Sequence, residues 1–77
     1  MAHELMPSLK AGDLGLVAGI LGARLSGKRL ADLGFVRGAE VTMVRPGAPC
    51  IVRIGGRCVG LGSAHQECIE LDPLPRN

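Results

Sequence analysis

The segment from Leu30 to Val44 constrains the fold of this chain more strongly than any other part. It begins as the last turn of a short helix, in which Leu30 and Leu33 lie three residues apart and share one face. Gly34 then stands where helices commonly end in the left-handed conformation, and Phe35 where a hydrophobic residue packs back on the last turn. A tight turn and an alternating strand follow. So abrupt a passage from helix to strand is typical of a corner in a small closed β-barrel, and it indicates a binding module rather than a catalyst.

Short strands, separated by glycine and proline, make up most of the remaining chain. The predicted strands are Leu14–Leu21, Ala39–Val44, Cys50–Ile54, Arg57–Leu61 and Cys68–Leu71. Gly15 and Gly19 predict a bulge or sharp bend within the first of them. Five short strands at close spacing predict a mainly β fold, a small antiparallel barrel.

Two short helical segments interrupt the predicted strands. Ser26 is the expected N-cap of a helix between the first and second strands, and Ser63 that of a helical turn before the fifth. The residues expected to form structural turns are Gly34, Gly38, Gly55 and Gly56. Residues 72–77 contain two prolines and are expected to be a frayed tail, which leaves one domain over residues 1–77 with its core at about 9–71.

The hairpin around Gly55-Gly56 predicts its own register, because two consecutive glycines are a strong signal for a two-residue turn. The predicted pairs are Ile54 with Arg57, Val52 with Val59, and Cys50 with Leu61. Since side chains alternate between the faces of a strand, Cys50 is expected in the core and Cys58 on the opposite face. These two thiols should therefore not share a metal ion.

Composition argues against binding to nucleic acid. Phe35 is the only aromatic residue among 77, whereas modules that bind single strands stack bases on aromatic rings. The nine basic and seven acidic residues give a net charge of only +2, and the basic residues are spread along the chain. We therefore expect no nucleic-acid partner.

The cysteine pattern and the distribution of apolar residues indicate a cytoplasmic protein. The three cysteines form an odd set without a Cys-x-x-Cys pair, which is not the pattern of a disulfide framework. No signal-peptide pattern is recognised at the N-terminus, and no apolar run approaches the length of a membrane span.

One ten-residue stretch resembles a known family. Residues Arg29 to Gly38 read Arg-Leu-Ala-Asp-Leu-Gly-Phe-Val-Arg-Gly, which is similar to the Arg-Leu-x-x-Leu-Gly-x-x-Pro-Gly segment of the FeoA family, with Arg37 in place of the proline. The resemblance runs from about Leu9 to Leu71. The chain departs from the family pattern at His65-Gln66, where an acidic residue and alanine are usual, and in the short loop after Met43, which lacks the usual Gly-Asp-Pro.

The resemblance implies an SH3-like barrel and a function in bacterial ferrous iron uptake. The chain would be a non-enzymatic, cytoplasmic adaptor or regulator that binds FeoB, a GTPase joined to a membrane transporter, and would lie at the inner membrane through that partner. The resemblance also implies that no cofactor is required. The alternative is a small Fe- or Zn-binding sensor or carrier, related to the SH3-like domain of metal-dependent repressors. Because strand edges are expected to be exposed, a weak homo-oligomer is a further alternative.

No set of residues predicts catalysis. His3 and His65 are the only histidines, and neither a Gly-x-Ser-x-Gly elbow nor a phosphate-binding loop is present. We therefore predict no catalytic residues.

Two candidate binding sites remain, and each has a simpler interpretation. An adventitious divalent metal site would use His65 and Cys68 together with either Glu67 or Cys58; the alternative is that these are unrelated surface and core residues. A partner-binding face would combine arginines with apolar anchors, a common interface composition; the alternative is a solvated rim with Leu33 and Phe35 wholly in the core. The residues of this predicted face are Leu33, Phe35, Arg37, Met43, Arg45, Arg53 and Arg57.

Overall fold

A computed structural model describes residues 4–21 and 24–74 of the chain, so His3 lies outside the described residues. The elements are β1 (Glu4–Leu5), a 3₁₀ turn (Met6–Ser8), β2 (Leu14–Ile20), α1 (Arg24–Asp32), β3 (Glu40–Arg45), β4 (Cys50–Ile54), β5 (Arg57–Leu61), α2 (Ser63–Gln66) and β6 (Ile69–Pro73). Neither α-helix in this part of the chain has the length and apolar character needed to cross a membrane.

The strands form one antiparallel sheet in the order β1-β6-β2-β3-β4-β5. This sheet is open, with β1 and β5 at its two ends, and it contains six strands where the sequence predicted a five-stranded barrel. The additional strand, Glu4–Leu5, pairs with Leu71 and Glu70 of β6. A two-residue strand is too short to show alternation, so only its pairing identifies it. As a result, α1 follows the second strand of the sheet rather than the first.

The last strand extends further than predicted. β6 includes Asp72 and Pro73, so the expected tail of residues 72–77 is wrong at its first two positions. The Leu74 N–H donates to the Leu14 carbonyl at 2.9 Å, which makes the neighbouring pair, Gly15 with Pro73, a pair without ladder hydrogen bonds. Since β2 does not need an N–H from Pro73, proline is tolerated there.

The bulge predicted for β2 is confirmed. The pairing of β2 with β6 shifts between Val17 and Gly19, so Ala18 is the extra residue. Such a residue increases the local twist of a strand and bends it.

The start of α1 differs from the prediction. The helix begins at Arg24, so Ser26 lies within its first turn and is not the residue before it. The first N–H groups of a helix have no partner inside the helix, so a serine is readily accommodated in that turn.

The end of α1 is as predicted. Gly34 has a φ of +106°, and its N–H donates to the Ala31 carbonyl at 3.0 Å. The Phe35 N–H donates to the Leu30 carbonyl at 2.9 Å. These two hydrogen bonds define a Schellman motif, and its hydrophobic pair, Leu30 with Phe35, lies in the buried core.

The second helix also begins differently from the prediction. Gly62 is the N-cap of α2 and Ser63 is its first helical residue, so Ser63 does not cap the helix. Cys68 lies in the turn after α2, and the last strand starts one residue later than predicted, at Ile69.

The register of the β4–β5 hairpin is confirmed at each predicted pair. Gly55 and Gly56 both have positive φ, at 57° and 80°, as a type I′ turn requires. Cys50 is buried and Cys58 is exposed, and both are free thiols. Burial raises the pKa of the Cys50 thiol.

The buried core is almost entirely aliphatic, with Phe35 as its one aromatic member. Its residues are Met6, Leu9, Val17, Leu30, Phe35, Val41, Met43, Cys50, Val52, Ile54, Leu61, Ile69 and Leu71. Met6 and Leu9 show that the N-terminal segment before β2 contributes to this core, which therefore starts earlier than the predicted residue 9.

We predict that Gly34→Ala lowers the free energy of unfolding by about 1–2 kcal/mol, because a side chain disfavours the left-handed conformation. Steric crowding is not the cause of this loss, since the added Cβ would lie 3.8 Å from the nearest Ile54 atom, which is an ordinary van der Waals contact. Gly60→Ala is the matched control. Its Cβ would also make an ordinary contact, 3.6 Å from Ile51 Cδ1, at a position without positive φ. Denaturant unfolding that shows equal losses for both variants would contradict this account.

Candidate partner-binding site

Two residues of the predicted partner-binding face are not on the surface. Phe35 and Met43 are each only 1% exposed and belong to the core. Phe35 is buried by the Schellman motif at the end of α1, and Met43 alternates with Thr42 and lies on the same buried face as Val41. Their prediction as contact residues is therefore wrong, whereas Leu33 is half-buried and keeps a part of its surface accessible.

The four predicted arginines are exposed, but the hairpin separates two of them. Arg53 lies opposite Thr42 and Cys58, on the outer face of the sheet. Arg57 lies opposite Ile54, so it shares the face of the buried Val52. Arg37 is in the turn after α1, and Arg45 ends β3. Among the described residues, none of these guanidinium groups forms an ion pair.

A cleft of about 350 Å³ lies between α1 and β5. Its residues are Arg29, Leu30 and Leu33 of α1, Val59, Gly60 and Leu61 of β5, and His65 of α2. Four of these seven residues are aliphatic, and Arg29 and His65 add polar side chains. We call this feature the α1–β5 cleft. It contains Leu33 from the predicted partner-binding face, but no pattern in the sequence predicts that Val59 and His65 lie beside it.

A buried glutamine lines a second cleft, together with Pro46, Gly47 and Ser63. Gln66 is 3% exposed, and its Nε2 donates to the carbonyls of Gly47 and Leu61, each at 2.8 Å. One amide thereby joins α2, the loop between β3 and β4, and the end of β5. In the sequence, Gln66 stands out only as a departure from the family pattern. A single glutamine without periodicity carries no signal of burial.

The residues proposed to bind metal are close in sequence but do not assemble into a ligand set. His65 is half-buried and Glu67 is exposed, while the Cys68 Sγ donates to the Ala64 carbonyl at 3.3 Å. Within residues 4–21 and 24–74, no group of three or more His, Cys, Asp or Glu side chains is arranged to hold an ion.

The family model of the FeoA domain matches residues 5–73. The chain belongs to the FeoA family. Arg37, which replaces the proline of the family motif, still allows the expected turn, because Gly38 has a φ of 89° and the Ala39 N–H donates to the Val36 carbonyl at 2.9 Å.

Solved FeoA structures agree in fold with this one. The FeoA protein of Chlorobium tepidum is 32% identical, with a TM-score of 0.85 over 94% of this chain and 71% of that one. The FeoA of Stenotrophomonas maltophilia, a prokaryotic SH3 domain protein solved with zinc, is 28% identical, with a TM-score of 0.80 over 90% of this chain and 89% of that one. The six-stranded sheet is thus an SH3-like fold in a family of ferrous iron transport proteins.

The same fold occurs within larger regulators. A manganese-dependent transcriptional repressor is 21% identical, with a TM-score of 0.89 over 96% of this chain but only 38% of that one. That likeness shows the fold alone. The curated proteins contain no match to this chain.

We predict that Gln66→Met lowers the free energy of unfolding by about 1–3 kcal/mol, because a buried amide that donates two hydrogen bonds is replaced by a thioether that donates none. Methionine has nearly the same length as glutamine, so the loss of stability comes chiefly from the missing hydrogen bonds. The neighbouring Glu67→Met is the control. Glu67 is exposed, and we expect a change within about 0.5 kcal/mol. Urea unfolding measures the stability of both variants, and the dependence of the free energy of unfolding on urea concentration should stay unchanged. Equal stability of the two variants would disprove the role assigned to Gln66.

Proposed function

We propose that this FeoA protein is a non-enzymatic, cytoplasmic adaptor that regulates ferrous iron uptake by binding FeoB, the GTPase-linked transporter. The observation that carries the proposal is the match to the FeoA domain over residues 5–73, nearly the whole chain. The protein would lie at the inner membrane only through its partner, and it would need no cofactor for this function.

The surface of the chain supports an adaptor. Arg29, which lines the α1–β5 cleft, and Arg57 of β5 are both exposed, and neither forms an ion pair with a described residue. The α1–β5 cleft adds accessible aliphatic surface at Leu33 and Val59, which are both only half-buried. Arginine beside apolar surface is a composition that protein interfaces favour.

We predict that the purified cytoplasmic GTPase part of FeoB binds this chain and that the affinity falls as the salt concentration rises, because exposed charges steer and stabilise the complex. Calorimetry with the GTPase in its nucleotide-free, GDP-bound and GTP-analogue-bound forms measures this. An unrelated GTPase of similar charge is the control. Absence of binding in all three forms would refute the proposal.

A metal-binding sensor or carrier is the second candidate, and the zinc complex of the Stenotrophomonas maltophilia protein is the observation that favours it. In this chain the ligands would be His65, Glu67 and Cys68. Because fewer than three potential ligands are arranged together in the described residues, we expect no more than an adventitious divalent ion here.

Titration of the reduced protein with Zn²⁺ separates the two candidates. For an adaptor we expect weak, substoichiometric binding that hardly changes in the double variant His65→Ala, Cys68→Ser. Tight binding of one ion per chain, lost in that variant, would instead establish the sensor or carrier.

A further inference from the structure

We propose that the α1–β5 cleft and the free edge of β5 receive an extended, acidic segment of the protein partner, which pairs with β5 as an additional strand. The identity of that partner as FeoB rests on the proposed function. The docking mode itself rests on the backbone, the side chains and the charges at this one edge of the sheet.

The backbone of β5 is available for pairing. β5 ends the strand order, so only β4 is bonded to it in the sheet. A two-residue turn makes the pair beside it, Ile54 with Arg57, a hydrogen-bonded pair, and such pairs alternate along an antiparallel ladder. The N–H and C=O groups of Cys58 and Gly60 consequently point away from β4. Both residues are exposed, and no hydrogen bond to another described element covers them.

The side chains beside this edge form an apolar slot. Val59 of β5 and Leu33 of α1 line the cleft and are half-buried, so both keep accessible apolar surface there, whereas Leu61 and Leu30, which also line it, are buried. A strand added to β5 would direct alternate side chains into this slot. Main-chain hydrogen bonds with pockets for alternate side chains are the pattern of β-strand addition.

The charges favour an acidic occupant. Arg29 lies at the cleft and is exposed, and Arg57 lies on the same face of β5 as Val59, two residues towards the turn. Neither guanidinium forms an ion pair with a described residue. Two uncompensated cations beside an apolar slot suit a segment that alternates apolar and acidic side chains, and they disfavour a basic one.

The first test uses charge reversal, with the full-length chain and the cytoplasmic part of FeoB. We expect the double variant Arg29→Glu, Arg57→Glu to weaken binding at least about tenfold, because attraction becomes repulsion at the docking edge. Arg45→Glu, Arg53→Glu is the matched control. It makes the same charge change at exposed residues that do not line the cleft, and we expect less than about a twofold effect.

The second test addresses strand pairing itself. Cys58→Pro removes an outward N–H without removing a bond to β4, so it should fold and weaken binding, whereas Cys58→Ala should bind as the wild type does. Hydrogen exchange of the wild-type protein provides a readout that needs no variant. The Cys58 and Gly60 amides should exchange readily in the free protein and become protected in the complex.

The outcomes distinguish the two proposals. If the wild-type chain does not bind FeoB at all, the proposed function fails. If it binds but only the Arg45 and Arg53 reversal weakens the complex, or the Cys58 and Gly60 amides stay unprotected, the docking mode is wrong and the function stands. If sedimentation shows a dimer that Cys58→Pro dissociates while FeoB binding persists, a second copy of the chain occupies the edge and the proposed occupant is refuted.

Discussion

The end of α1 is the constraint on which the rest of the molecule depends. Gly34 takes a conformation with positive φ, and this allows the Phe35 N–H to reach the Leu30 carbonyl. The chain then reverses tightly, so Phe35 and Leu30 enter the same core while the backbone passes directly into the turn before β3. The only aromatic ring of the protein is thereby buried at the junction between helix and sheet. The same junction sets Leu33 beside β5 and so creates the α1–β5 cleft.

Local backbone chemistry made much of the fold predictable from sequence. Gly55 and Gly56 determine the hairpin turn, and with side-chain alternation they determine the register that buries Cys50 and exposes Cys58. Gly34 predicts the helix end for the same reason, since only glycine takes its φ without strain. In each case the decisive interaction lies within a few residues along the chain.

The features that the sequence did not predict depend on distant partners. β1 exists only through its pairing with β6, and Pro73 is tolerated only because of its place in the ladder with β2. Gln66 is polar and isolated, and its burial follows from two carbonyls that lie five and nineteen residues away. For the candidate site, proximity in sequence grouped Phe35 and Met43 with surface arginines, although packing buries both. Sequence proximity could not predict that Arg29, Val59 and His65 lie together, because only the folded chain brings α1, β5 and α2 to one cleft.

The short length of β5 has a consequence for the lifetime of any complex formed along its edge. Because the strand ends at Leu61 and the chain turns into α2 at Gly62, the edge available to a bound segment centres on Cys58 and Gly60. Each main-chain hydrogen bond contributes a net ~1 kcal/mol. The few bonds that this edge can form would therefore hold an added strand only weakly. A segment bound in this way would dissociate readily, which agrees with the proposed adaptor, whose contact with its partner would be reversible.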